Sequence, residues 1–149
     1  MAAPACPLCE GPGGDVVFSG PAFRVARTDE GGFPAFYRVV WNRHVREFSQ
    51  LPSGDRWLCM EALVAVEQVL LAHLQPAKVN LATLGNAVPH LHWHVIARFD
   101  WDSRFPQPVW AAAGRVVEPP PLARLPIALE ALDAQVARAL RGAKPGRAD

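Results

Sequence analysis

An α+β domain is the fold class this sequence predicts, and three observations carry it. Short runs rich in β-branched and aromatic residues, set off by glycine and proline, fill positions 15 to 41. A long run with apolar residues at helical spacing follows, and two further strand-like runs come after it. A second amphipathic stretch then lies beyond a proline-rich connector. With 149 residues, half of them hydrophobic, the chain suits one domain with a sizeable core.

Taken in order, residues 15–19 and 22–28 read as two strands joined at Ser19-Gly20-Pro21, a hairpin. Gly31-Gly32-Phe33-Pro34 is a turn, and 35–41 is a strand that delivers His44 just beyond its end. From Pro52 to Leu74, the residues Leu58, Ala62, Val66, Val69 and Leu70 recur at helical spacing until Pro76 stops the run. Residues 78–84 form a strand, 85–89 a turn or bulge, and 90–99 the next strand. Aromatic residues and prolines then alternate from Trp101 to Trp110, and Pro119-Pro120-Pro121 is a stiff connector. Leu125, Leu129, Leu132, Val136 and Leu140 mark the last helix, whose stripe must pack on the body or on a second copy, and 142–149 fray. The compact domain is expected over 1–110, with 111–149 as connector and helix.

A formal net charge of +1 gives no general attraction to nucleic acid or to an anionic membrane. No stretch reads as a membrane span and the first residues lack the pattern of a signal peptide, so a cytoplasmic protein is expected. Cys6-Pro7-Leu8-Cys9, with Cys59 left over, is a poor disulfide framework; in a reducing compartment such a pair suits metal binding or redox work.

The chemistry concentrates in His90-Leu91-His92-Trp93-His94, which holds three of the five histidines. Alternate positions on a strand share a face, so the imidazoles should form one side and Leu91, Trp93 and Val95 the buried other side. Residues two apart on a strand are roughly 6.6 Å apart and residues four apart about 13 Å, so a single metal could take neighbours of the trio but hardly both ends. A neutral central imidazole attacking an electrophile, oriented by a flanking one and served by backbone N–H groups of a turn, fits better. Crowding favours that neutrality, since like charges disfavour protonation.

Lys78-Val79-Asn80-Leu81 followed by Gly85-Asn86-Ala87-Val88-Pro89-His90-Leu91-His92-Trp93-His94-Val95-Ile96-Ala97-Arg98 resembles the signature of the histidine triad (HIT) superfamily. The resemblance covers roughly residues 6 to 110 and is nearest to short bacterial members. It implies a HIT-like fold, an antiparallel sheet of about five strands with one long helix and a C-terminal helix, in a homodimer. It also implies a nucleotide hydrolase or transferase. Such a protein attacks the α-phosphate of a nucleoside phosphate conjugate, a dinucleoside polyphosphate or a nucleoside phosphoramidate, through a nucleotidyl-histidine intermediate that water resolves. On this pattern His92 is the nucleophile and His94 the supporting third histidine. Asn80 faces the nucleotide, Asn86 takes the place of a phosphate-contacting glutamine, and ribose or base contacts fall near Asp29 and Phe33. Cys6, Cys9, His44 and His90 match the ligands of a structural zinc ion in similar proteins, closed by four donors.

Two positions depart from the pattern. Phe36 stands where many members have a histidine, and Ala87 where a serine is common, so two polar contacts near the phosphate are lost. Two rivals follow: a nucleotide-binding regulator with little turnover, and a zinc hydrolase whose histidines hold a catalytic metal. Thioredoxin-like redox chemistry lacks its βαβ surroundings. Cys59 reads as a small buried apolar residue, His73 as a solvated group suited to a helix end, and Lys144 and Arg147 as too few charges for a nucleic-acid patch. The Trp101 to Trp110 segment reads equally as a substrate-facing loop or as a cover for a sheet edge or a dimer seam.

Overall fold

A computed structural model describes residues 5–142; the expected fraying of 143–149, and Lys144 and Arg147, lie outside them. One helical turn, α1 (Pro7–Glu10), precedes β1 (Asp15–Ser19), β2 (Phe23–Arg27) and β3 (Phe36–Trp41). Helix α2 (Ser53–Leu74) leads to β4 (Lys78–Ala82) and β5 (His92–Arg98), and α3 (Leu129–Gly142) comes last. All pairings are antiparallel in the order β1-β2-β3-β5-β4, so the chain leaves β3, crosses by α2 to the far edge and returns to fill the gap. The α+β class, the five strands and the hairpin agree with the sequence reading.

Period-2 alternation decides which residues meet the helices. Phe23 and Val25 on β2, Tyr37, Val39 and Trp41 on β3, and Val95 and Ala97 on β5 share one core with Leu63, Val66 and Leu70 of α2. Leu132, Val136 and Leu140 of α3 enter that same core, so the stripe packs on the body of its own chain. Helix α2 is long and apolar enough to span a membrane by length and composition, with a mean hydropathy of 1.5, contrary to the expectation that no stretch comes near. Its Cys59, Ala62, Val66, Val69 and Leu74 nevertheless lie in the core. It ends at Gln75, in a left-handed conformation whose N–H donates to the Leu71 carbonyl, immediately before Pro76.

Two elements begin later than their residue patterns suggest. The last helix starts at Leu129 rather than Leu125, because Pro126 disfavours the helical conformation for Leu125, which is extended, and a separate 3₁₀ turn, Pro121–Arg124, occupies the preceding residues. Leu125 still packs against the core from outside the helix. The histidine strand starts at His92 rather than His90, since the His90 and Leu91 N–H groups turn to the carbonyls of Val88 and Val45 instead of entering a β4 ladder.

A carboxylate fastens α3 to the sheet. Arg27 Nε donates to both oxygens of Asp133, at 3.0 and 3.1 Å, and the buried Tyr37 hydroxyl donates to Oδ1 at 2.7 Å. Burial and then that hydrogen bond raise the Tyr37 pKa well above its usual value, keeping the phenol a donor. Replacing Asp133 by alanine strands the phenol and the guanidinium together, and we expect a loss of about 2 kcal/mol in urea unfolding. A loss under about 0.5 kcal/mol would show that the fastening contributes nothing.

Candidate active site and metal centre

The sheet face away from α2 carries the chemistry. Register places Arg38 opposite His94, Val40 opposite His92 and Ala82 opposite His94, so β3, β4 and β5 contribute to one surface. The imidazole side was expected to be open, and it is buried instead: His92 is 8% and His94 6% exposed. Segments beyond the strands cover it, bringing Trp110 against His94 with ring centroids 5.2 Å apart. The trio is also divided, because His90 lies outside the strand and its ring belongs to a different cluster.

That cluster joins four donors from distant parts of the chain. The ligand atoms of Cys6, Cys9, His44 and His90 all lie within 4.8 Å of one another. His90 Nδ1 is 3.5 Å from each sulfur and 3.1 Å from His44 Nδ1, and Cys9 Sγ is 3.4 Å from His44 Nδ1. Tetrahedral zinc with two thiolates and two imidazoles sets its donor atoms roughly 3.3–3.8 Å apart, so the spacing fits. The tautomer fits too. His90 Nε2 lies 2.6 Å from the Trp41 carbonyl, which can only accept; the proton therefore sits on Nε2 and the Nδ1 lone pair faces the other donors. These four residues can hold a metal ion.

The cysteine turn is held by a residue that carried no sequence signal. Arg24 of β2 donates to the carbonyls of Leu8, Gly11 and Pro12 and to Asn42 Oδ1. One guanidinium thus ties down the segment after the cysteines, while Leu8 packs beside Val40 and Cys6.

His92 is positioned by backbone. Its Nδ1 lies 2.6 Å from the His90 carbonyl, so Nδ1 carries the proton and Nε2 keeps the lone pair. Thr83 Oγ1 donates to the His92 carbonyl at 2.7 Å, fixing the strand from the other side. Burial lowers the His92 pKa, and Arg38 lowers it further against the favourable bond to His90. His94 is pushed down to about 4, first by burial and then by the charges of His92 and Arg38. Its ring is hemmed by Phe36 at 5.4 Å, His92 at 5.0 Å and Trp110, and its Nδ1 has no hydrogen-bond partner among the described residues. Both imidazoles are therefore neutral at pH 7.

A cavity of about 240 Å³ opens over them, lined by His92, His94, Arg38, Trp110 and residues 84–88. Asn86 is exposed and lines it. Ala87 lines it as well, and no side chain there restores the missing hydroxyl. Gly85 starts the loop with φ +72°, a conformation that favours glycine. Asn80 lines a neighbouring cavity of about 470 Å³ with Ala82, Ile96 and Trp110, and its Oδ1 accepts from Arg98 at 2.9 Å. Trp110, half-exposed, walls both spaces.

Only the end of the Trp101 to Trp110 segment reaches the cavity, through Trp110. Its start is organised by a buried ion pair: Arg98 donates to Asp102 at 2.8 and 3.1 Å, and Asp102 accepts from the N–H groups of Phe99, Arg104 and Phe105. Arg98 spends its remaining donors on Asn80 and the Gln107 carbonyl. Phe33 is not at either cavity; it is buried with Phe36, Ile96 and Val109, under the guanidiniums of Arg98 and Arg104. Asp29 is exposed beside a third cavity, with Pro34, Pro120 and Leu122. Cys59 is buried in the core, its thiol pushed up to about 12.

Comparison with known proteins agrees with this geometry. The family model described as the HIT domain matches residues 13–101. No curated protein matches the chain. Among solved structures, a histidine triad protein from Bradyrhizobium japonicum is 27% identical with a TM-score of 0.64, covering 86% of this chain and 90% of its own. Histidine triad proteins from Sinorhizobium meliloti and Marinobacter aquaeolei share the fold at 23% and 24% identity, with TM-scores of 0.67 and 0.66 and the same coverage. With the matched segment spanning β1 to β5 and both cavity histidines, the chain belongs to the HIT domain family.

Proposed function

We propose that this protein is a nucleotide hydrolase or transferase that uses His92 as a covalent nucleophile on the α-phosphate of a nucleoside phosphate conjugate. The observation that carries it is the bond from His92 Nδ1–H to the His90 carbonyl, which leaves Nε2 unprotonated on a ring lining the cavity. In the first step Nε2 bonds to phosphorus, and the bond to the bridging oxygen or nitrogen breaks with its electron pair. The leaving group takes a proton from water. The resulting hydroxide attacks phosphorus; the N–P bond breaks and its electrons return to Nε2. The net change consumes one water and releases a nucleoside monophosphate and the protonated leaving group. A neutral His94 suits the first step, because the positive charge that grows on His92 then meets no charged imidazole beside it.

The metal cluster has a supporting part in this reading. Zinc on Cys6, Cys9, His44 and His90 would use four protein donors and leave no open position, which favours a structural ion over a catalytic one. It would cross-link the N-terminal turn to the residue whose carbonyl orients His92. Because His92 and His94 lie outside the donor set, the reading of a zinc hydrolase is the less favoured one.

Three outcomes follow. His92→Ala should lower turnover of an adenosine phosphoramidate or dinucleoside polyphosphate at least about a thousandfold, and quenched parent protein should carry a nucleotidyl group on the peptide containing His92. Parental rates in the variant would remove the nucleophile assignment. Protein purified without chelator should hold about one equivalent of zinc, and Cys9→Ser should lower both zinc content and melting temperature; less than about a tenth of an equivalent in the parent would sink the site. Finally, His94 titrates near 4 in the fold against 6.5 unfolded, so the unfolded chain binds more protons between those values. Stability present above pH 6.5 is therefore lost as pH falls towards 4, and His94→Asn should lessen that loss by about 1–3 kcal/mol at pH 4.5 in urea titrations. Parallel pH profiles for the two proteins would show that His94 is not held neutral.

A further inference from the structure

Arg38 has been given no role toward a ligand so far, yet it is the one charged side chain lining the cavity among the described residues. It stands on β3 directly opposite His94, two residues beyond Phe36 on the same face. Its Nη1 donates to the Gly13 carbonyl at 3.1 Å, which holds one branch of the guanidinium against the N-terminal segment. Its Nη2 lies 3.6 Å from Glu30, whose side chain is half-exposed. Its Nε is buried and has no hydrogen-bond partner among the described residues. The edge formed by Nε and Nη2 is therefore only loosely committed.

That arrangement has a chemical meaning. Among the groups that line the cavity, two imidazole rings, one amide, apolar side chains and Arg38, only the guanidinium carries a permanent positive charge with which to select an anion. Its fork presents two parallel N–H donors that match two oxygens of a phosphate, a geometry an ammonium cannot reproduce. A buried N–H left unpaired is costly, and a ligand oxygen is the group that would satisfy it. Arg38 also brings a donor to the cavity that Ala87 lines without a polar group of its own.

We propose that the Nε–Nη2 edge of Arg38 binds the non-bridging oxygens of the phosphate that His92 attacks, making it an anion-binding catalytic residue of this chain, with Glu30 as its competing partner. The inference rests on the reading of His92 as a nucleotide-attacking group, and its test separates the two.

AMP and adenosine are titrated calorimetrically at low salt into the zinc-loaded full chain. The parent should bind AMP more tightly than adenosine. Arg38→Gln should lose about ten- to a hundredfold in AMP affinity, the range of a charge-assisted hydrogen bond, with adenosine affinity kept within about twofold. Arg38→Lys should recover part of that loss. If Arg38→Gln binds AMP like the parent, the Arg38 inference falls and the His92 reading stands; if the parent binds neither ligand, both fall. Should Arg38→Gln fail to fold, Glu30→Gln decides, since it alters a half-exposed side chain. Freeing the guanidinium should then tighten AMP about two- to fivefold, and unchanged or weaker binding overturns the proposal.

Discussion

His90 makes three bonds in three directions, and the rest of the site hangs on them. Its ring Nε2–H is fixed on the Trp41 carbonyl, its backbone N–H on the Val88 carbonyl, and its own carbonyl receives His92 Nδ1–H. The first bond turns Nδ1 towards the cysteines and His44; the last turns the His92 lone pair away from the backbone. Both tautomers are thus set by the same device, a carbonyl that can only accept: Trp41's for His90 and His90's for His92. Metal cluster and cavity are therefore coupled through one backbone, and disturbance of the cysteine turn would be felt at His92 through the His90 carbonyl.

The coupling is useful only if the sheet beneath it is rigid, and the rigidity comes from burial on both faces. Helices α2 and α3 cover one side, and the covering segments with Trp110 and the N-terminal turn cover the other. Two carboxylates that brace the sheet are well paired: buried Asp102 receives two guanidinium bonds and three backbone N–H groups, and part-buried Asp133 serves both Arg27 and Tyr37. Such networks are costly when half satisfied and specify one arrangement when complete. Of the five buried polar side-chain atoms without a hydrogen-bond partner among the described residues, Arg38 Nε and His94 Nδ1 are the two that belong to residues lining the cavity.

Much of this was legible in the residues, and the physical reason is locality. Strand and helix patterns repeat within a few residues, so β1 to β5 and α2 appear in periodicity, as does the alternation that pairs His92 with His94 on one face. The four donors were found through resemblance, since Cys6 and His90 are 84 positions apart and no spacing rule joins them. The departure of His90 from its strand was hidden because it depends on where β4 ends and on the Val45 carbonyl. Arg24, Arg38 and Asp133 carried no signal at all. A charged residue on a short strand or amphipathic helix reads as solvated until tertiary packing names its partner.

The phenylalanine at position 36 is more than a lost polar contact. Its ring meets His94 edge-on and joins Phe33, Ile96 and Val109 in a small core, so it takes water away from one side of that imidazole. Less water means a lower local dielectric, and a nearby cation is then felt more strongly at a given distance. Arg38 lies across the strand from His94, and its charge is among the causes that hold both cavity histidines neutral. An apolar residue at position 36 and a cation at position 38 therefore act in the same direction. Together they keep His92 a neutral base with its lone pair available and leave one positive charge to meet an anion. A histidine at position 36 would bring a third titratable ring next to His94 and weaken that separation of roles.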